Sequence, residues 1–229
     1  MARPLTRVRR PAAFVHLLGM DASRQEGFAL FPLGLVALPH ELIPLHIFEA
    51  RYRLMIADCL EQGSEFGILW SADDGLRAVG CAVEIADVLE ELEDGRMNII
   101  TRGTRPFALV ERSDALGYPS GTVAWLGDEA GEPDDPALLA DARDAYRELV
   151  RTATDRVMDE DDVADLGAYR MAATVEFGPG PKQELLELRD ENDRLRLVAK
   201  LFSEATARLQ LIGRGASKAR SNGKVRFDP

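Results

Sequence analysis

Cys59 and Cys81 are the only cysteines among the 229 residues. They leave no disulfide framework and no Cys-x-x-Cys pair for a zinc site. A reducing compartment, the cytoplasm, is the expected setting. No stretch approaches the roughly 20 apolar residues that cross a bilayer. The apolar run from Ala12 to Met20 follows four arginines but is short, is interrupted by His16 and has no small-residue cleavage site after it. Neither a secretory signal nor a membrane anchor is therefore expected, and Met20 stands as an alternative start. A P-loop is missing too. The one Gly-Lys pair, Gly223-Lys224, is followed by Val225 and has Lys218 where the first glycine of the motif must stand, so nothing is built to cradle nucleotide phosphates.

Positive charge is scarce except at the ends. Residues 1–10 carry four Arg and no acid, and residues 213–229 carry Arg214, Lys218, Arg220, Lys224 and Arg226 against Asp228. Removing those nine bases and one acid from totals of 28 and 39 leaves a net charge of −19 for residues 11–212. Such a body repels phosphate backbones within a Debye length, so nucleic acid is not the expected partner of the folded part. A basic tail with Gly and Ser is expected to be disordered.

What is present reads as two lobes. Residues 1–26 form a flexible leader. From 27 to 127 the pattern is β-rich. Phe28 to Leu33 alternates, Phe66 to Trp70 is a short apolar run, and Val79, Cys81, Val83 and Ile85 keep strict period two. Asp94-Gly95 is a tight-turn pair, with Met97 to Thr101 returning as the partner strand. Phe107 to Glu111 and Thr122 to Leu126 complete a small, strongly curved sheet or barrel. Between these strands, Pro39 and Pro44 keep the segment after Leu33 out of regular structure, and His46 to Gln62 follows as an amphipathic helix ended by Gly63. Residues 128–212 are helical. Asp134 and Asp135 start one helix, and Leu138, Ala142, Ala145 and Leu149 share its face. Lys182 to Leu188 is a short helix. Leu195, Val198, Phe202, Ala205, Leu209 and Ile212 step by three and four along the last. Residues 213–229 are the basic tail. The fold class is α+β, a β-rich lobe followed by a helical bundle.

Several ordered pieces carry a resemblance. They are Phe31 to Leu33, Pro44 to Arg53, Phe66 to Leu69, Val79-Gly80, Asp94 to Ile99, Tyr118-Pro119, Lys182 to Leu188 and Arg194-Leu195. In this order they resemble the N-terminal, substrate-binding domain of Lon-type proteases over about Phe28 to Ile212. The resemblance implies a PUA-like pseudo-barrel followed by helices, and a role in selecting unfolded or damaged polypeptides. Lon's peptidase needs a Ser nucleophile and a Lys base on a folded domain, whereas Ser217-Lys218 lies in the tail. The chain thus looks like a free-standing member without ATPase or peptidase domains, and no enzymatic activity is expected. Many family members have Phe-Pro-Gly where this chain has Leu38-Pro39-His40, which predicts a less tightly turned loop.

Candidate chemistry is sparse. His40, Glu41 and His46 are too broken by Pro44 to form a helical metal site, and the acidic runs lack calcium-loop spacing, so no metal and no cofactor are expected. Pro44, His46, Phe48, Glu49, Arg51, Tyr52, Asp94, Gly95 and Arg96 belong to the family motifs and read as structural. Glu49 is expected to pair with Arg96, Arg102 or Arg105 and fix the helix to the sheet. The candidate polypeptide-binding residues are Leu38, Pro39, Leu42, Ile43 and Leu45. Pointing inward they are core; with Leu42 and Ile43 outward they form an exposed patch that marks a binding surface. The expected function is therefore a non-catalytic module that captures apolar segments of unfolded proteins, as an adaptor or holdase in protein quality control. Its partners would be unfolded polypeptides or a protease or chaperone machine, with weak self-association raising avidity. The alternative is a PUA-like module for a small ligand or RNA.

Overall fold

The computed structural model describes residues 8–9, 23–128 and 135–222, with side chains up to 213. Most of the leader, residues 129–134 of the linker and residues 223–229 of the tail lie outside the described residues. The chain divides into two units, Met1–Gly131 with Ala172–Asp190, and Glu132–Met171 with Glu191–Pro229. The segment 172–190, which the sequence places with the helical lobe, thus belongs with the sheet.

In the first unit seven strands form one mixed sheet: β1 (Val8–Arg9), β2 (Arg24–Leu33), β3 (Leu42–Ile47), β4 (Phe66–Ala72), β5 (Gly75–Glu91), β6 (Met97–Ser113) and β7 (Ser120–Trp125). Their order is β1-β5-β4-β2-β7-β6-β3, and β5 also pairs with β6. That extra pairing closes β5, β4, β2, β7 and β6 into a barrel, with β3 hanging on β6 as an edge. Closure removes edges that would otherwise template aggregation. The alternating residues of these strands meet inside it, where Phe28, Leu30, Leu69, Leu76, Phe107, Leu109 and Val123 are buried together. Phe28 and Phe107 meet edge-on at 5.5 Å between ring centroids, a favoured aromatic geometry.

Three local readings change. Met97 to Thr101 and Phe107 to Glu111 are one strand of 17 residues, β6, because the irregularity between Gly103 and Arg105 shifts the register against β5 without ending the strand. The segment after Pro39 is not kept out of the ladder. Residues Leu42 to Ile47 pair antiparallel with Arg102 to Met97, since an edge strand tolerates the missing N–H of Pro44. His46 and Ile47 end that strand, and helix α1 starts later, at Ala50–Gln62. It buries Tyr52, Met55, Ile56 and Cys59 at helical spacing and ends on Gly63 at φ 59°, the left-handed cap that glycine takes freely.

The Leu38-Pro39-His40 turn is also tighter than the departure from Phe-Pro-Gly predicts. His40 adopts φ 69°, a glycine-like conformation. It is locked by His40 N–H to Gly103 O at 2.8 Å and Gly103 N–H to Glu41 O at 2.9 Å. Helix α1 is tied to the barrel by Tyr118, whose hydroxyl donates to Asp58 Oδ2 at 2.9 Å.

The second unit pairs α2 (Pro136–Thr154) with α5 (Glu191–Asn222), joined by a 3-10 turn at Asp161–Val163 and a short α3 (Ala168–Ala172). Asp135 caps α2, accepting from Ala137 N–H at 2.9 Å. Tyr146 rather than Ala145 is buried beside Ala142 and Leu149, and it meets Phe202 at 5.4 Å. Arg194, 2% exposed, is held by Glu191 Oε2 at 2.7 Å and lies over the Tyr169 ring at 4.7 Å. Helix α5 continues to Asn222, so residues 213–222 are helical where the composition predicts disorder. Among the described residues no helix is long and apolar enough to cross a membrane.

A methyl group on Gly103 would drive into the Leu38 carbonyl and the Pro39 backbone, whereas one on Gly34 meets nothing within 4 Å. Gly103→Ala is expected to cost about 2–3 kcal/mol by overpacking and to lower Tm by about 5–10 °C. Gly34→Ala should be near neutral in the same thermal melt by circular dichroism. The Tyr118 phenol is pushed up to about 12, from 10.0, by burial and then by its donation to Asp58. A raised folded value contributes stability that is complete below pH 10 and lost as pH rises towards 12. Tyr118→Phe should therefore be less stable than the parent at pH 8, with the difference vanishing near pH 12. The same variant should lose the late step of the ultraviolet phenolate titration.

Candidate functional site

The sheet segment formed by β3, β6 and β5 gives the candidate site its shape. Strand β3 alternates strictly, with Leu42, Pro44 and His46 outward and Ile43, Leu45 and Ile47 inward. Of the five candidate binding residues only Leu42 faces solvent, at 58% exposure. Leu38, Ile43 and Leu45 are core, and Pro39 is buried with them, so these four cannot touch a partner. Leu42 and Ile43 cannot both face outward because neighbours on a strand point to opposite faces.

Register extends the outward face across three strands. Leu42 lies beside Arg102 and Glu84, Pro44 beside Ile100 and Asp87, and His46 beside Asn98 and Glu90. Side-chain bonds run along these rows. His46 Nδ1 is 2.7 Å from Asn98 Oδ1, Asn98 Nδ2 donates to Glu90 Oε2 at 2.8 Å, and Arg102 Nη1 donates to Glu84 Oε1 at 3.1 Å. In this network Nδ1 carries the His46 proton. Just past β3, Phe48 is 60% exposed and stacks on His46 with ring centroids 5.8 Å apart. Leu89, 59% exposed, sits at the bulge between Val88 and Glu90. Pro44, His46, Leu89, Glu90 and Asn98 line a depression of about 590 Å³. Leu42, Phe48 and Leu89 are thus exposed apolar side chains on or next to this part of the sheet.

A second cleft, of about 470 Å³, lies at the start of β3, where Leu35, Val36, Glu41, Leu42 and Pro44 face Lys182 of α4 (Pro179–Glu187). Lys182 donates to Glu41 Oε1 at 2.6 Å and Glu176 Oε2 at 3.3 Å. Glu41 Oε2 accepts from Leu38 N–H at 3.0 Å. The Lys182 and Glu41 side chains are 6% and 14% exposed, so the pair is buried and anchors α4 to the turn that precedes β3. The neighbouring Gln183 donates to Val79 O on β5 at 3.1 Å. Glu176 is held below its ordinary range by the Gly178 N–H and then by Lys182.

The remaining motif residues are structural, but not through the expected pair. Glu49 bonds Arg51 at 2.9 Å. Arg96 pairs with Asp94, Arg102 with Glu84 and Arg105 with Glu65. None of the three arginines reaches Glu49, because each has an acid nearer on its own strand or hairpin or on the neighbouring β-lobe segment. The helix-to-sheet tie comes from Arg53, which donates to Asp94 O beneath Gly95 at φ 78°. Tyr52 packs on Phe31 at 4.1 Å. Sequence reasoning missed Lys182 as the anchor of this region. The only signal was its place at the head of the segment Lys182 to Leu188, 141 residues from Glu41.

The folded pieces coincide with a known domain. Residues 28–204 match the family described as the ATP-dependent protease La (LON) substrate-binding domain. The chain belongs to the Lon substrate-binding domain family. It is similar to the crystal structure of a Lon N-terminal domain protein from Xanthomonas campestris, at 28% identity and a TM-score of 0.57, over 74% of this chain and 95% of that one. The N-terminal domain of a Mycobacterium avium complex Lon protease shares the fold at 18% identity and a TM-score of 0.56, over 80% of this chain and 98% of that one. Segment Lys182 to Leu188 thereby gains a physical account, with Lys182 and Gln183 tying α4 to its neighbours and Leu185 and Leu186 buried.

Breaking a buried pair strands a charge and costs about 3–5 kcal/mol. Lys182→Met is expected to destabilise the chain by about 3 kcal/mol in chemical denaturation. Adding Glu41→Gln should recover most of that loss, because no buried carboxylate is then left unpaired.

Proposed function

We propose that this chain is a non-catalytic recognition module that binds apolar segments of unfolded polypeptides on the outward face of β3, β6 and β5. It acts as an adaptor or holdase in cytoplasmic quality control. The observation that carries this reading is the exposure of Leu42, Phe48 and Leu89, each near 60%, on or beside the strands of one part of the sheet. Grouped apolar side chains of this size mark an interaction surface. Membership of a substrate-binding family supports the choice of a polypeptide as the ligand. A nucleic-acid partner has no support from a body that carries −19 over residues 11–212.

Burying two or three such side chains yields roughly 4–8 kcal/mol gross, and association costs at least about 4 kcal/mol. At most about 4 kcal/mol remains, so one module holds a segment with a dissociation constant of about 1 mM or weaker. Linking several modules, or delivery to a partner machine, raises the effective affinity.

Fluorescence anisotropy of a labelled, permanently unfolded polypeptide titrated with the chain is expected to saturate, with no competition from the folded form of the same polypeptide. The double variant Leu42→Asn, Phe48→Asn should weaken binding about tenfold or more while leaving the circular dichroism melt unchanged. Unaltered affinity of that variant would sink the assignment of this face. Ile43→Asp is no test of binding, since Ile43 is 6% exposed and its loss unfolds the strand.

A further inference from the structure

The outward face carries charge as well as apolar area, and the charge is arranged. On the β5 side, Glu84, Asp87 and Glu90 stand in the same three rows as Leu42, Pro44 and His46. Two strand spacings, about 10 Å, separate that rim from β3. Arg102 neutralises Glu84, and Asp87 and Glu90 form no ion pair among the described residues. On the other side of β3, Glu41 and Glu176 share the single ammonium of Lys182, and Glu176 keeps 78% of its side chain exposed. The apolar lane of Leu42, Pro44 and Ile100 therefore runs between two margins that are each net negative.

We infer that this face selects cationic apolar segments, in which large apolar residues are interspersed with Lys or Arg. This rests on the reading of the face as a polypeptide-binding surface. Lysine and arginine suit the lane doubly, because their methylene stems cover apolar surface while their heads reach outward to carboxylates. A segment lying over β3 and β6 brings such heads within reach of Asp87 and Glu90 on one side or Glu176 on the other. An acidic segment meets repulsion at both margins, a negative element of the kind that gives a binder its specificity. The charge of the body, −19 over residues 11–212, steers cationic chains towards the surface from within a Debye length.

The test uses three labelled peptides of equal length with the same apolar residues, spaced by Lys/Arg, by Ser/Gln or by Glu. Each is titrated by anisotropy with the full chain at low and high salt. The cationic peptide is expected to bind about tenfold tighter than the neutral one at low salt, from two exposed charge contacts, with the acidic peptide weakest. High salt should narrow the gap. The double variant Asp87→Asn, Glu90→Gln should reduce the ratio of cationic to neutral affinity, and Leu42→Asn should weaken all three. Equal binding of cationic and neutral peptides, both lost in Leu42→Asn, would overturn charge selection and leave polypeptide binding intact. A full cationic advantage surviving both Asp87→Asn, Glu90→Gln and Glu176→Gln would overturn the role given to these margins. Failure of every peptide to bind would overturn the underlying reading and this inference together.

Discussion

The buried pair of Lys182 and Glu41 is the contact on which the candidate surface depends. Strand β3 is held by backbone hydrogen bonds on one side only, through β6. What stabilises its start is the Leu38-Pro39-His40 turn, and that turn is fixed by Glu41, which accepts from Leu38 N–H with one oxygen and from Lys182 with the other. An ammonium and a carboxylate taken out of water cost several kcal/mol each unless their geometry and remaining bonds are good. Here Lys182 has two carboxylate partners and Glu41 has a backbone donor. The pair thus sets where β3 begins, and through strict alternation along the strand it sets which side chains reach solvent.

Much of the fold is legible in the sequence because strand alternation and helical spacing report directly on burial. The face of α1 is an example, whereas Val79 to Val83 is a strand buried on both faces rather than on the one that strict period two implies. The apolar segment around Pro44 was not legible. Prolines ordinarily exclude a segment from a ladder, and only the position of β3 at an edge makes them acceptable, a fact of topology that no local pattern contains. The same holds for Glu49. Charge type and helix position suggested a distant arginine, but Arg51 lies within reach two residues away, and each candidate partner had a nearer acid.

The candidate surface was half legible. Leu42 takes the outward one of the two orientations that the sequence leaves open, while Leu38, Ile43 and Leu45 are core. Phe48 reads as structural in the sequence yet is exposed, and Leu89 has no sequence signal because the bulge beside it is invisible in alternation. The acidic margins arise from register among three strands, from residues more than forty positions apart. The tail illustrates the opposite limit, since residues 213–222 continue α5 although their composition resembles a disordered end.

Pro44 has one more consequence, for how long a bound segment stays. Proline offers no N–H, so a chain laid along the free edge of β3 loses a rung in the middle of the ladder. Recognition then relies on side chains rather than on a continuous backbone zipper. Encounter rates for such surfaces are typically about 10⁵–10⁷ M⁻¹s⁻¹. With a dissociation constant of about 1 mM or weaker, residence times are about ten milliseconds or shorter. The surface is thereby suited to sampling many chains and releasing each quickly, and a proline at this position keeps two copies of the module from locking edge to edge.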